Sequence, residues 1–179
     1  MNIDYKHFFV FLFVFMIFQY LLLITEITPY ANIVKDIQNY RPNMFKNLDD
    51  NFTLKNLIIF SLGYLFLIIF IYYYIIFPKK TCIEGFIFVS FIYGAFWETA
   101  LFSCFDKAVN HLPVLLYDAF IVGGVCMVIS QYIVYNYYDI LKNYIPLLFI
   151  FYLITMIWFF YEFYKYNPDL SNIKGVVLF

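Results

Sequence analysis

The sequence predicts an all-α fold, a polytopic transmembrane helix bundle of about five spans, on three observations. Of 179 residues, 65% are hydrophobic and only 13% are charged, where soluble domains carry about 25% charge. Five apolar stretches have the length, about 20 residues, that a helix needs to cross a hydrocarbon core of about 30 Å. Finally, most of these stretches are joined by short polar connections, with no internal repeat or low-complexity linker to divide the single domain 1–179. Disorder is excluded, because disordered chains are poor in the aromatics that make up 26% here. Backbone in lipid must satisfy its own hydrogen bonds, which makes helix the expected form.

The expected spans are 7–25, 56–77, 82–105, 114–135 and 144–164. The first is too long for a signal-peptide core of about 7–15 residues and lacks a small-residue cleavage site, so it reads as a retained helix. A polar loop, 26–55, follows. Within it Ile33, Val34 and Ile37 are spaced for a short interfacial helix before Arg41-Pro42-Asn43 breaks it. Pro78-Lys79-Lys80 makes a tight turn between the second and third spans. Lys107 to Pro113 joins the third to the fourth, Asn136 to Asn143 the fourth to the fifth, and a tail, 165–179, ends the chain.

Five spans define two faces. Face A carries Lys6, Lys79, Lys80 and Lys142, and face B carries Lys35, Arg41, Lys46, Lys55, Lys107, Lys165 and Lys174. The positive-inside tendency puts face B in the cytoplasm or an equivalent compartment. The glycosylation sequon Asn51-Phe52-Thr53 on the same loop points the other way, so orientation stays open.

Phe (25) and Tyr (19), with Ile, Asn and Lys, dominate the composition. All have AT-rich codons, so the aromatic excess reads as base composition of a cellular, organellar or viral genome, spread over lipid-facing and core positions. A net charge of −1 leaves no basic footprint for nucleic acid. Cys82, Cys104 and Cys126 are scattered with no CxxC pair, which points to small buried hydrophobes and to no metal or cofactor.

Acids inside apolar spans are the informative residues, since each costs about 2.5–3.5 kcal/mol at mid-helix. Glu84 and Glu162 lie near span ends. Glu98 is seven residues before Phe105, about 10 Å below face B at the helical rise. Asp118 is four residues past Val114, about 6 Å deep on the same rise. A short loop makes their helices antiparallel neighbours, with Asp106, Asn110 and His111 over the mouth. Gln19 and Glu26 occupy the same end of the first span, so polarity is expected at face B, with nothing comparable at face A. Two close carboxylates suit a proton relay or acid–base work. Glu98, Asp106, His111 and Asp118 are also hard donors for a divalent cation. The structural alternative is a water-filled notch in which the acids bond Thr99, Ser103 and Tyr117. Gly94-Ala95 and Gly123-Gly124 mark where the third and fourth spans pack, because close approach in lipid relies on small residues.

The run Gly94-Ala95-Phe96, Phe105-Asp106, Asn110, Pro113, Asp118 and Gly123 resembles the core of a predicted membrane protein family of unknown function, number 2177. Pro78 and Arg41-Pro42-Asn43 fit its outline, and the resemblance covers roughly Phe9 to Val134. It implies a four-helix membrane core, to which this chain adds a fifth helix, with Asp106, Asn110 and Asp118 as the polar signature and no known activity. The loop after Asp106 is shorter than the family's, two expected tryptophans are absent, and Gln19 stands where the family has an acid. The expected function is a non-enzymatic membrane component or complex subunit, its partners the bilayer and other subunits or a second copy. The alternatives are a carrier or channel for a proton, cation or lipid through Glu98 and Asp118, or a lipid-modifying enzyme.

Overall fold

The computed structural model describes residues 4–37, 54–104, 116 and 118–166, with side chains over 4–24, 62–95, 116, 119–159 and 161–162. Every element among them is helical, and no strand occurs. Helix α1 is Tyr5–Ile37, α2 is Leu54–Ile71 and α3 is Cys82–Cys104. Helix α4 is Cys126–Leu141, and α5 is Ile145–Tyr166. Two wide π-helical stretches extend this set: Tyr72–Ile76 continues α2, and Asp118–Val125 leads into α4. Two segments, Tyr5–Ile24 (20 residues) and Ala119–Leu141 (23 residues), are long and apolar enough to cross a membrane.

Helix α1 begins where Asp4 Oδ1 accepts the backbone N–H of Lys6 at 3.0 Å, an N-cap that satisfies an orphan donor. It then runs on past the expected end at Thr25 as far as Ile37. At 33 residues it is about 50 Å long, more than a bilayer core requires. The segment expected as a polar loop with a separate short helix is, up to Ile37, a continuation of α1. Helix α4 likewise outlasts its expected end at Tyr135 and stops at Leu141. The physical reason is common to both: polar residues end an apolar run, but they do not by themselves end a helix. Asn136, for one, bonds back to the Tyr132 carbonyl at 2.8 Å.

The turn after α2 forms at Pro78-Lys79-Lys80. Phe77 N–H bonds the Tyr72 carbonyl at 2.9 Å and Lys80 N–H bonds the Ile75 carbonyl at 3.0 Å. Lys79 takes the left-handed conformation, φ 54°, which glycine usually supplies at a helix end. Thr81 and Glu84 then start α3 with a reciprocal capping box: Thr81 N–H reaches Glu84 Oε2 at 2.8 Å, and Glu84 N–H reaches Thr81 Oγ1 at 3.2 Å. Pro146 falls in the first turn of α5, where a missing N–H costs nothing.

Helix α1 is central, packing along α4 and α5. Its Val10, Phe11, Val14 and Phe15 share one buried face, spaced one and four residues apart as a helix requires. They meet Ile71 and Ile75 from α2 and its extension, Val89 from α3, and Val122 and Met127 from the α4 side. Helix α5 is held to α1 by rings, with Phe13 against Phe149 (5.5 Å) and Tyr20 against Phe159 (5.4 Å). Tyr74 stacks on Phe88 at 4.5 Å to join α2 to α3.

Helix α3 packs closely on α4 and its π-helical lead-in. A Cβ at Gly124 would stand 2.4 Å from Ser90 Oγ and 2.6 Å from the Phe86 ring. One at Gly123 would meet Tyr93 at 3.0 Å, one at Gly94 would meet Ala119 at 3.2 Å, and one at Gly85 would overlap the Gln131 amide. Ala95 is exposed, because one residue beyond Gly94 turns a helix by about 100° off the seam. Gly124→Ala is therefore expected to lose about 1–3 kcal/mol to overpacking, while Ile87→Ala on the exposed face changes stability by about 0.5 kcal/mol or less. Chemical unfolding of both variants in mild detergent measures the difference.

Candidate functional site

Helix α3 carries Glu98 and the π-helical stretch begins at Asp118, but both side chains lie outside the described residues. So do Asp106, Asn110 and His111. The described polar groups form two other clusters, one inside the bundle and one at face A.

The inner cluster centres on Gln19, only 2% exposed. Its Nε2 donates to the Tyr93 hydroxyl at 2.8 Å, and its Oε1 accepts the Tyr64 hydroxyl. One amide thus ties α1 to α2 and α3, using its donor and its acceptor on partners whose rings are themselves apolar. Tyr64 and Tyr152 also line a cavity of about 220 Å³ with Leu12, Phe13, Met16, Leu65 and Ile68. Nearby, the Cys126 thiol donates to the Phe15 carbonyl at 3.3 Å, and Ser130 Oγ bonds back to the Cys126 carbonyl at 2.7 Å. Both potential nucleophiles are buried and engaged by backbone, which leaves them structural.

The face-A cluster was not expected: the sequence placed polarity at face B and nothing comparable at face A. The structure corrects the second part, and the candidate acids at face B, Glu98, Asp106 and Asp118, lie outside the described side chains. Tyr138 donates its hydroxyl to Asp4, and His7 Nδ1 shares a hydrogen bond of 2.8 Å with the Tyr72 hydroxyl. The His7 ring stands edge-on to Tyr138 at 4.7 Å. The start of α1, the end of α2 and the end of α4 are thereby clasped together. Beside them Gln131 Nε2 donates to the Lys80 carbonyl at 3.3 Å, and the Tyr135 hydroxyl donates to the Ile75 carbonyl at 3.1 Å. These bonds reach the Lys80 carbonyl at the turn and add a second donor to the Ile75 carbonyl, which already accepts the Lys80 N–H. Reading only the acids within apolar runs missed the cluster, because its one acid, Asp4, precedes the first apolar run and its other members are tyrosine, glutamine and histidine. The available signals were the Thr81-x-x-Glu84 capping pattern and the tyrosines grouped at helix ends.

The Tyr138 hydroxyl, with the backbone N–H groups of His7 and Lys6 and the nearby His7, holds the Asp4 carboxyl below the usual carboxylate range, against partial desolvation. Among the described residues no three His, Cys, Asp or Glu side chains come together as a metal site. What both clusters can do is hold helices in register with hydrogen bonds, neutral around Gln19 and charge-assisted at Asp4. No family model, curated protein or solved structure matches the chain.

Gln19→Leu removes one hydrogen bond from each of Tyr64 and Tyr93, an expected loss of about 1–3 kcal/mol, read by thermal unfolding in detergent. The Asp4 clasp sets a pH dependence. A depressed folded-state value means the carboxylate stabilises above the ordinary carboxylate range, and that contribution disappears as pH falls through the lowered value. Melting temperature followed from neutral to acid pH should drop less steeply in both Asp4→Asn and Tyr138→Phe than in the native chain, since each removes most of the difference between the folded and unfolded carboxyl.

Proposed function

We propose that this chain is a multi-pass integral membrane protein of about five spans, acting without catalysis as a membrane component or as a subunit of a larger complex. The observation that carries the reading is the layering of the exposed surface. Across the middle of the bundle the exposed large side chains are Leu, Ile and Phe, among them Leu65, Phe66, Phe120, Ile150 and Ile154, with Phe91 80% exposed. Soluble monomers rarely expose contiguous apolar patches beyond a few hundred Å². Exposed tyrosines instead gather at face A: Tyr5, Tyr73, Tyr74, Tyr132, Tyr137 and Tyr144. Trp158 and Tyr161 are exposed toward the opposite end of α5. Amphipathic rings at both ends of an apolar band are the pattern of two membrane–water interfaces.

The interior supports a component over a conduit. Gln19 lies twelve residues along α1 from His7, about 18 Å at the helical rise. The layer between them is filled by Val10, Phe11, Val14, Phe15, Ile71, Ile75, Val89, Val122 and Met127, all buried. Among the described residues the two polar clusters are therefore separated by packed apolar side chains. Kinship with the four-helix family of unknown function belongs to this proposal and brings no activity with it.

The protein is expected to stay in the pellet when membranes are washed with alkaline carbonate, and release into the supernatant overturns the membrane reading. In liposomes Glu98→Gln and Asp118→Asn should leave proton and cation flux at background while altering the size of the complex purified from cells. Flux that the native chain supports and either variant abolishes would establish the carrier reading in place of this one.

A further inference from the structure

The face-A rim holds four lysines, Lys6, Lys79, Lys80 and Lys142, and three acids, Asp4, Glu84 and Asp139, among the described residues. Each acid is already committed. Asp4 caps α1 and accepts from Tyr138. Glu84 takes both the backbone N–H and the hydroxyl of Thr81 at 2.8 Å. Asp139 pairs with Lys142 at 2.6 Å, the one ion pair among the described residues. Lys6, Lys79 and Lys80 form no ion pair within 4 Å among the described residues, although Lys80 lies near enough to Glu84, and Lys79 to Asp139, to act on them electrostatically.

Their placement is built by the fold. Lys6 stands in the first turn of α1, and Lys79 lies close enough to His7, next to Lys6, to act on it electrostatically. The left-handed turn at Lys79 leaves that side chain exposed. Lys80 rests its ammonium 3.5 Å from the centre of the Tyr74 ring, which is itself stacked on Phe88. Exposed Tyr5, Tyr73, Tyr74 and Tyr144 flank these cations. Lysine heads at the outer edge of a tyrosine belt sit at headgroup depth, with their apolar stems along the belt.

We propose that this rim binds the phosphate groups of anionic phospholipids, with Lys6, Lys79 and Lys80 as the cationic contacts. The proposal rests on the membrane reading above. The occupant follows from charge complementarity: the three acids stay ionised but are outnumbered by four lysines, so the rim is net positive by one charge. The cations are interleaved with rings that face outward, so they meet a headgroup layer from the side.

The test extracts the protein in polymer-bounded discs from bilayers of equal phosphatidylglycerol and phosphatidylcholine, and compares disc lipid with bulk lipid by mass spectrometry. The native chain should enrich phosphatidylglycerol, less so at high salt, where screening is short-ranged. In K6Q/K79Q/K80Q, rim affinity should fall by about fivefold for each lysine removed, bringing the ratio to that of the bulk. K6R/K79R/K80R should retain the enrichment. If the triple glutamine variant loses helical circular dichroism, K79Q/K80Q, confined to the turn, is read in the same way. Native discs at the bulk ratio, with or without a captured acidic protein, overturn the proposal, as does enrichment unchanged by glutamine. A chain that never enters bilayers fails the membrane reading instead, so the two failures are distinct.

Discussion

Helices α3 and α4 approach until side-chain atoms of one touch backbone of the other, and much of the remaining architecture depends on that approach. Ser90 and Phe86 press on Gly124, Tyr93 presses on Gly123, and the Gln131 amide covers Gly85. The closeness has a cost. Ser90 Oγ and Gln131 Oε1 are buried at this seam without a hydrogen-bond partner among the described residues, and such groups cost about 1–3 kcal/mol each. Dense dispersion contact along the seam offsets it. In lipid, where burial of apolar surface gives helices little drive to associate, contact of this kind is the main source of cohesion.

The seam also positions the polar groups. Tyr93, only 1% exposed, lies over Gly123 and sends its hydroxyl to Gln19 on α1, so close packing at one interface sets the reach of a hydrogen bond at the next. Gln131, pressed on Gly85, extends its donor to the carbonyls of the α2–α3 turn. Among the described residues, polar chemistry inside the bundle is thus neutral, and the charged groups lie at helix ends. That division suits a protein with little charge to spend on its interior.

Much of the helical pattern was legible in the sequence. The starts of α3 and α5 fall within one residue of where the apolar runs begin, and the Pro78-Lys79-Lys80 turn lies where it was expected. Helix ends were not legible at Thr25 and Tyr135, because loss of hydropathy marks the end of an apolar run and not the end of a helix. The face-A clasp was hidden for another reason. Tyr72, Tyr135 and Tyr138 look like the other tyrosines of an aromatic-rich chain until their partners are known. The base composition that accounts for so many aromatics does not decide which of them carry hydrogen bonds.

By itself, the sequence determined that the chain is helical, because long apolar runs with few charges satisfy their backbone best as helix. It also marked the glycines, since Gly123-Gly124 stands out in a chain with six glycines. Only the tertiary structure decided which polar groups meet. His7 and Tyr72 are 65 residues apart, and Tyr138 and Asp4 are 134 apart. No local pattern encodes such pairs. They exist because α1 lies between α2 and α4, and a hydrogen bond depends on position within a few tenths of an ångström, which only the packing of all three helices sets.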